Sequence, residues 1–196
     1  MLRFLAAFLI AAQALAGTPG PRPGPSRDEA DALDVKLEAI DKRQKNGRTA
    51  RPETVEISES ELNSYVSLKV KMPEGVTDVA VHLDRERVAA TALVDMEKIQ
   101  IKQASTSWNP MSLLGGRVAV SIRGKLVSQD DGFAAVEFEE IKLGSLPIPA
   151  SLLEQLVSSA TRSRETPQGL DILYPFRLPY SMKRVRLQPG RAFLDF

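Results

Sequence analysis

Four runs of alternating apolar and polar residues constrain this chain more than any other feature. In residues 77–84, Val79, Val81 and Leu83 fall on one side, and Asp78, His82 and Asp84 on the other. In 87–96, Val88, Ala90, Ala92, Val94 and Met96 share a side. In 117–128, Val118, Val120, Ile122 and Leu126 oppose Arg117, Ser121, Arg123 and Lys125. Successive strand side chains point to opposite faces, so each run reads as a strand with one apolar face. Asp84-Arg85-Glu86 is a hairpin-sized link and Asp130-Asp131-Gly132 a strong turn signal, so neighbouring strands run antiparallel. The fourth run begins with Ala134, Val136 and Phe138 on one face and continues with Ile141 and Leu143 at the opposite parity. A one-residue slip turns every side chain over, so the spacing predicts a β-bulge near Glu139-Glu140.

The rest of the chain alternates between helix and strand signals. Ala30, Leu33, Leu37 and Ile40 recur at helical spacing within 28–45, on a narrow stripe. This helix either docks on the domain or stands off as a partner-seeking segment; docking is the expectation. Val55 and Ile57 predict a strand over 53–57. Ser58 and Glu61 form a capping box, in which each side chain satisfies the other residue's backbone N–H. Leu62, Tyr65, Val66 and Val70 then share a helical face over 59–71, ended by Pro73 and Gly75. Pro147-Ile148-Pro149 opens a further helix with a stripe of Leu152, Leu153, Leu156, Val157 and Ala160. Near the end, Val185 and Leu187 alternate with Arg184 and Arg186; Pro189-Gly190 turns into a strand bearing Ala192, Leu194 and Phe196. This order predicts an α+β fold: a long curved antiparallel β-sheet packed against two amphipathic helices, with an extra N-terminal helix.

The N-terminus speaks to compartment. Arg3 precedes an apolar run from Phe4 to Ala16, broken only by Gln13 and closed by Ala14-Leu15-Ala16. A basic start, a short apolar core and an A-x-A site make a secretory signal peptide over residues 1–16, with cleavage after Ala16 and a periplasmic or extracellular destination. An uncleaved anchor is the alternative, although the run falls short of the roughly 20 apolar residues that span a bilayer. The segment 17–27 is rich in Pro and Gly and reads as a flexible tether. The helix at 28–46 follows, and 53–196 reads as a single domain. The chain has no Cys, so neither a disulfide framework nor a lipoprotein anchor is expected. Of its 26 basic residues only Arg3 lies in the leader, which leaves 25 against 25 acidic ones. That balance argues against a nucleic-acid partner.

Catalytic chemistry finds little footing. The only His is His82, on the polar side of its strand, where a surface His is the plain reading. Nucleophilic catalysis needs an activated Ser, Cys or Thr beside a base, and no G-x-S-x-G, P-loop or G-x-G-x-x-G pattern occurs. Glu137, Glu139 and Glu140 are close in sequence but alternate in direction. No metal site or cofactor is expected. The run Lys183-Arg184-Val185-Arg186 suits either a charged outer strand face or anionic lipid head groups. The loop from Trp108 to Gly116 holds Trp108, Met111, Leu113 and Leu114 outside any alternation; it reads as a lid or membrane-touching tip, or as a segment buried beneath the domain.

The stretch from Val55 through Ser58-Glu59-Ser60-Glu61-Leu62-Asn63-Ser64-Tyr65, the paired long strands, Leu143-Gly144-Ser145-Leu146-Pro147-Ile148-Pro149 with its helix, and Leu178-Pro179 followed by a strand, Pro189-Gly190 and a last strand form one arrangement. It resembles the small bacterial proteins related to the tubular lipid-binding (TULIP-like) superfamily, over roughly residues 53–196. The resemblance implies a curved sheet wrapped around a helix, with a hydrophobic groove for lipid. It places Leu62, Tyr65 and Val66 on one helix and Leu152, Leu156 and Val157 on the other at that groove. Val79, Val81, Val118, Val120 and Ile122 on the apolar strand faces complete the candidate lining.

Three functions follow as expectations. The first is a non-enzymatic exported envelope protein that binds a lipid or other apolar ligand between sheet and helices, with peripheral membrane contact. The second is an envelope scaffold or interaction module with a solid core, whose tether and first helix recruit an envelope protein partner. The third, and weakest, is a hydrolase acting through Glu137 or Glu139.

Overall fold

The alternating runs become strands where their side-chain pattern places them. The computed structural model describes residues 24–45, 53–98, 116–128, 132–161 and 173–196. In chain order the elements are α1 (Arg27–Lys45), β1 (Thr54–Ser58), α2 (Glu59–Leu68), β2 (Val76–Asp84), β3 (Arg87–Asp95), β4 (Arg117–Ser128) and β5 (Phe133–Leu143). There follow β6 (Leu146–Pro147), α3 (Ala150–Thr161), β7 (Phe176–Arg177), a 3-10 turn (Pro179–Ser181), β8 (Arg184–Gln188) and β9 (Arg191–Asp195). The fold is α+β, with β2-β3-β4-β5-β6 hydrogen-bonded in that order into a strongly curled antiparallel half-barrel. The short β7 pairs with the start of β5, through Phe133↔Arg177 and Ala134↔Phe176.

Two bulges accompany the curl. On β5, Arg123 pairs with Glu140 and Gly124 with Phe138, so Glu139 is the additional residue. This is the parity change read from Phe138 and Ile141, and it lets Ala134, Ile141 and Leu143 all be buried. On β2, Thr77 pairs with Leu93 and Ala80 with Thr91, so Asp78 and Val79 together oppose Ala92. Asp78 takes a left-handed backbone (φ 51°) at this bulge. An extra residue raises local twist and bends its strand, which is how a flat ladder becomes a half-barrel.

The C-terminal strands do not lengthen the curled sheet. They form a separate three-stranded sheet in the order β1-β9-β8, with Ile57 opposite Ala192 and Leu187 opposite Ala192 from the other side. The small sheet meets the large one at a corner. There the Gly190 N–H donates to the Leu83 carbonyl (2.8 Å), and the Val185 N–H donates to the Ser128 hydroxyl (2.9 Å).

The first helix docks. Ala30, Leu33, Leu37 and Ile40, the whole predicted stripe, are buried against α2 and the 3-10 turn. Polar contacts fix its register: Lys36 Nζ donates to the Glu61 carboxylate and to the Glu56 carbonyl, both at 2.7 Å. Near its start, Ser60 and Ser64 hydroxyls donate to Glu29 (2.7 and 3.1 Å). α2 begins at the capping box: the Glu61 N–H donates to Ser58 Oγ (3.1 Å) and the Ser58 N–H to Glu61 Oε2 (2.9 Å). Burial pushes the Glu61 pKa up, but the bonds from Lys36 and Ser58 outweigh it and the net direction is down. Ser58→Ala removes one half of the box and is expected to lower stability by about 1 kcal/mol in urea denaturation. An unchanged midpoint would show that α2 is held by its packing alone.

α2 ends at Leu68, earlier than the sequence spacing suggests, with Lys69 as C-cap. Val70 is partly buried against the core, and the residue before Pro73 is disfavoured in helical backbone, so the chain leaves the helix a turn early. Among the described residues no helix is long and apolar enough to cross a membrane. Residues 1–16, read as a signal peptide, and the loop with Trp108, Met111, Leu113 and Leu114 lie outside the described residues, as do residues 17–23 of the tether.

Candidate functional site

The candidate lining divides according to which helix it faces. α2 packs on β2, the edge strand of the half-barrel. Leu62, Tyr65 and Val66 from the helix and Val79 and Val81 from the strand all join one buried cluster. Leu62 is 2 % exposed and Val81 0 %, so this side is filled by its own side chains. Val120 and Ile122 of β4 continue the same core, while Val118 at the start of that strand is only half-buried.

The α3 side is packed differently. Among its described side chains α3 carries one fully buried anchor, Leu153 at 2 % exposure. Leu152 and Val157 are half-buried and lie against the cluster, as do Ile148 and Ala150 at the helix entrance and Phe138 of β5. The Leu156 side chain is outside the described set. α3 meets β5, the strand next to the opposite margin of the half-barrel. Thus the helices flank the curled sheet at its two ends; among the described side chains α2 contributes buried Leu62, Tyr65 and Val66, and α3 contributes buried Leu153.

Ile148 and Phe138, partly buried against the core, were not among the candidate lining residues read from the sequence. Their signal was present only in part: Ile148 stands between two prolines, and Phe138 ends the first parity of β5, just before the bulge that re-aims it.

Two open clefts mark the surface. One, of about 410 Å³, lies where the start of α1, α2 and β2 converge, and it is lined by Glu29, Ser58, Glu59, Ser60, Asn63 and Ser64 among others. Its polar groups have partners within the fold. The Asn63 side chain accepts from the Val81 N–H (2.6 Å) and donates to the Val81 carbonyl (2.7 Å), pairing with β2 as a neighbouring strand would. Glu59 Oε2 accepts the Leu83 N–H (2.8 Å) and lies 2.9 Å from His82 Nδ1. These side chains cap the open edge of β2, which would otherwise offer bare N–H and C=O groups to another chain. His82 is therefore a surface residue bracketing a sheet edge.

The second cleft, about 630 Å³, lies at the corner between the two sheets. It is bordered by the β2–β3 turn at Arg85 and Glu86, the end of β4 from Lys125 to Ser128, and β8 from Arg184 to Gln188. Arg184, Val185 and Arg186 of the basic run thus line this cleft from the edge strand β8. Behind it, Asp195 receives Arg186 Nε at 2.8 Å and Arg184 Nε at 3.4 Å. The Arg186 hydrogen bonds and the one from Thr54 hold the Asp195 carboxyl far below the usual carboxylate range. The Arg186 guanidinium also lies over the Phe193 ring, 5.4 Å from its centroid.

Of the carboxylates considered for hydrolysis, Glu139 is paired with a cation. Arg87 Nε bonds Glu139 at 2.9 Å, and Lys142 and Arg123 flank Glu140. Glu137 is exposed opposite Lys125. Among the described residues no group of three or more His, Cys, Asp or Glu side chains is placed to hold a metal ion. No family model matches the chain, and no curated protein or solved structure matches it either.

Proposed function

We propose that the chain is a non-enzymatic, exported cell-envelope protein that binds a lipid or another apolar ligand between the curled sheet and α3, in the manner its TULIP-like sequence resemblance implies. The observation that carries this reading is the unequal packing of the two sides. Seven of the eleven candidate lining residues, Leu62, Tyr65, Val66, Val79, Val81, Val120 and Ile122, are engaged in a buried core. Val118, Leu152 and Val157 are not sealed. A helix whose described side chains include one buried leucine and half-buried apolar neighbours is the element an acyl chain would displace at least cost. The binding groove is accordingly narrowed from both helices to the α3 seam.

The test is uptake of a fluorescent fatty acid or diacylglycerol by the mature chain, with native mass spectrometry after mild purification. Leu152→Asp combined with Val157→Asp is expected to lower uptake at least tenfold, because a carboxylate facing an acyl chain loses its water; one exchanged contact of this kind is worth about 1–3 kcal/mol. Leu68→Asp, on the exposed end of α2, is expected to leave uptake unchanged. A protein that purifies without ligand and takes up no lipid removes the reading.

The second reading, an envelope scaffold with a solid core, is favoured by the closed α1–α2–β2 side. The sequence reading assigns recruitment of the partner to the tether and the first helix, and the apolar stripe of that helix is buried within the fold. A partner would have to meet the outer face of α1, where Val35 is 67 % exposed. Val35→Glu abolishing capture of an envelope protein, with no lipid taken up by either chain, is the outcome that selects this reading.

A further inference from the structure

The corner cleft between the two sheets has the composition of a ligand site. Its rim carries Arg85, Lys125, Arg184 and Arg186, and its floor Leu126 and Val185, both partly buried against the core. Among the described residues one carboxylate, Glu86, lines it, and Asp195 stands behind Arg184 and Arg186. This concentration of cations occurs in a chain whose charges otherwise balance almost evenly.

The cations are not equally committed. Among the described residues Arg85 has no carboxylate partner, and its turn holds it at the mouth of the cleft. Lys125 pairs with Glu86 at 3.3 Å, but Glu86 is 66 % exposed, and an exposed pair of this kind gives way readily to a stronger anion. Arg186 is anchored by Asp195 and by Phe193, so its position is set in advance. Ser128 Oγ accepts the Val185 N–H, which leaves the hydroxyl proton to be donated.

Size and lining narrow the ligand. At about 630 Å³ the cleft is far larger than a bare inorganic ion needs and falls within the range of organic ligand pockets. Guanidinium forks match the paired oxygens of a phosphate group. An apolar floor beneath a cationic rim suits a phosphate that carries carbon on its ester oxygen.

We propose that this corner cleft binds the phosphate ester of an anionic amphiphile, with Arg85 and Lys125 meeting the phosphate oxygens, Arg186 fixing the far wall, and Leu126 and Val185 receiving the esterified carbon. The idea deepens the lipid-binding reading and rests on it for the choice of a lipid over a soluble phosphate ester. In that reading the half-open α3 seam receives the apolar part of a ligand, while the corner cleft recognises a charged headgroup.

The experiment compares the full mature chain with Arg85→Gln/Lys125→Gln and with a charge-matched control on α1, Lys42→Gln/Lys45→Gln. Binding is measured to vesicles of phosphatidylcholine alone and of equal parts phosphatidylcholine and phosphatidylglycerol. Glycerol 3-phosphate and inorganic phosphate are titrated calorimetrically, and uptake of a neutral fluorescent diacylglycerol is followed in parallel. At about fivefold per basic residue near an anionic surface, the cleft variant is expected to bind the mixed vesicles roughly 30-fold more weakly. The α1 control is expected to match the parent, and neither variant should change diacylglycerol uptake. Glycerol 3-phosphate binding that the cleft variant loses, with no preference for mixed vesicles, supports the phosphate site and assigns it a soluble ester. Equal affinity of parent and cleft variant for every phosphate probe overturns the proposal. So does an equal loss in the α1 control, which would mark diffuse charge. Both results leave the α3 reading standing on diacylglycerol uptake, and loss of that uptake alone removes the α3 reading while the phosphate site survives.

Discussion

The double substitution Leu33→Ala/Leu37→Ala is expected to lower the unfolding temperature by about 15 °C. Both leucines are 1 % exposed, and both belong to the cluster that also contains Leu62, Val81 and Leu143. A buried Leu→Ala change costs about 2–5 kcal/mol, because the lost transfer energy is joined by a cavity. The two positions are one helical turn apart and share neighbours, so their effects should not add fully. About 5 kcal/mol for the pair is a large part of the stability of an ordinary domain, roughly 5–15 kcal/mol. In a chain of this size each kcal/mol moves the midpoint by about 2–4 °C. Differential scanning calorimetry of the protein checks it. The surface contacts of α1, such as the pair between Lys42 and Glu38, contribute only tenths of a kcal/mol, so they cannot hold the helix once its stripe is cut. A shift below about 3 °C would mean that α1 is an accessory laid on the domain and does not complete its core.

Gly124→Ala is expected to destabilise the fold by about 2–3 kcal/mol. General strand propensity points the other way, since Gly inside a strand is worse than Ala by roughly 0.5–1 kcal/mol. Local geometry decides the sign. A Cβ at residue 124 would lie 2.7 Å from Val136 Cγ1 and 2.8 Å from the Glu137 carbonyl oxygen. β4 is paired on both sides, with Val88 of β3 and Phe138 of β5 opposite this residue, so the strand has no free edge toward which to move. Overpacking of this kind costs about 1–3 kcal/mol. Adding Val136→Ala relieves the side-chain contact but not the one with backbone, so the double variant should regain only part of the loss. A neutral or stabilising Gly124→Ala in urea denaturation would show that the bulge on β5 can relax around a methyl group.

Gly124 also shows where sequence reading stops. In sequence it is a single glycine inside the alternating run 117–128, and nothing near it marks the position as special. Its necessity arises from Glu139, fifteen residues later, whose insertion brings β5 backbone against it. The bulge itself was legible, because a parity change within one strand leaves a visible mark in the order of apolar residues. The crowding was not, because it depends on the register between two strands.

The candidate site divides along the same line. The apolar residues of α2, β2, β4 and α3 were recognisable from periodicity, which reports that a side chain leaves water. It does not report whether the space it enters is filled by another side chain or left for a ligand. Leu62 and Leu152 occupy equivalent-looking stripes, yet one is sealed and the other half-exposed. The basic run at 183–186 was visible as a run, but Arg85 and Lys125 reach the same cleft from strands and turns far away in sequence.

By itself the order of residues determined the local elements: four alternating strands, the capping box at Ser58 and Glu61, the stripe of α1, and the bulge near Glu139. These depend on backbone geometry within a few residues, where side-chain period and capping chemistry act directly. Only the tertiary structure decided that β1 pairs with β9, that the last strands form their own sheet, that Leu62 of α2 is sealed while Leu152 of α3 is half-exposed, and that cations from the β2–β3 turn, β4 and β8 share one corner. Those outcomes depend on contacts between distant segments, and a side chain's neighbours across such contacts are set by how whole elements pack against each other.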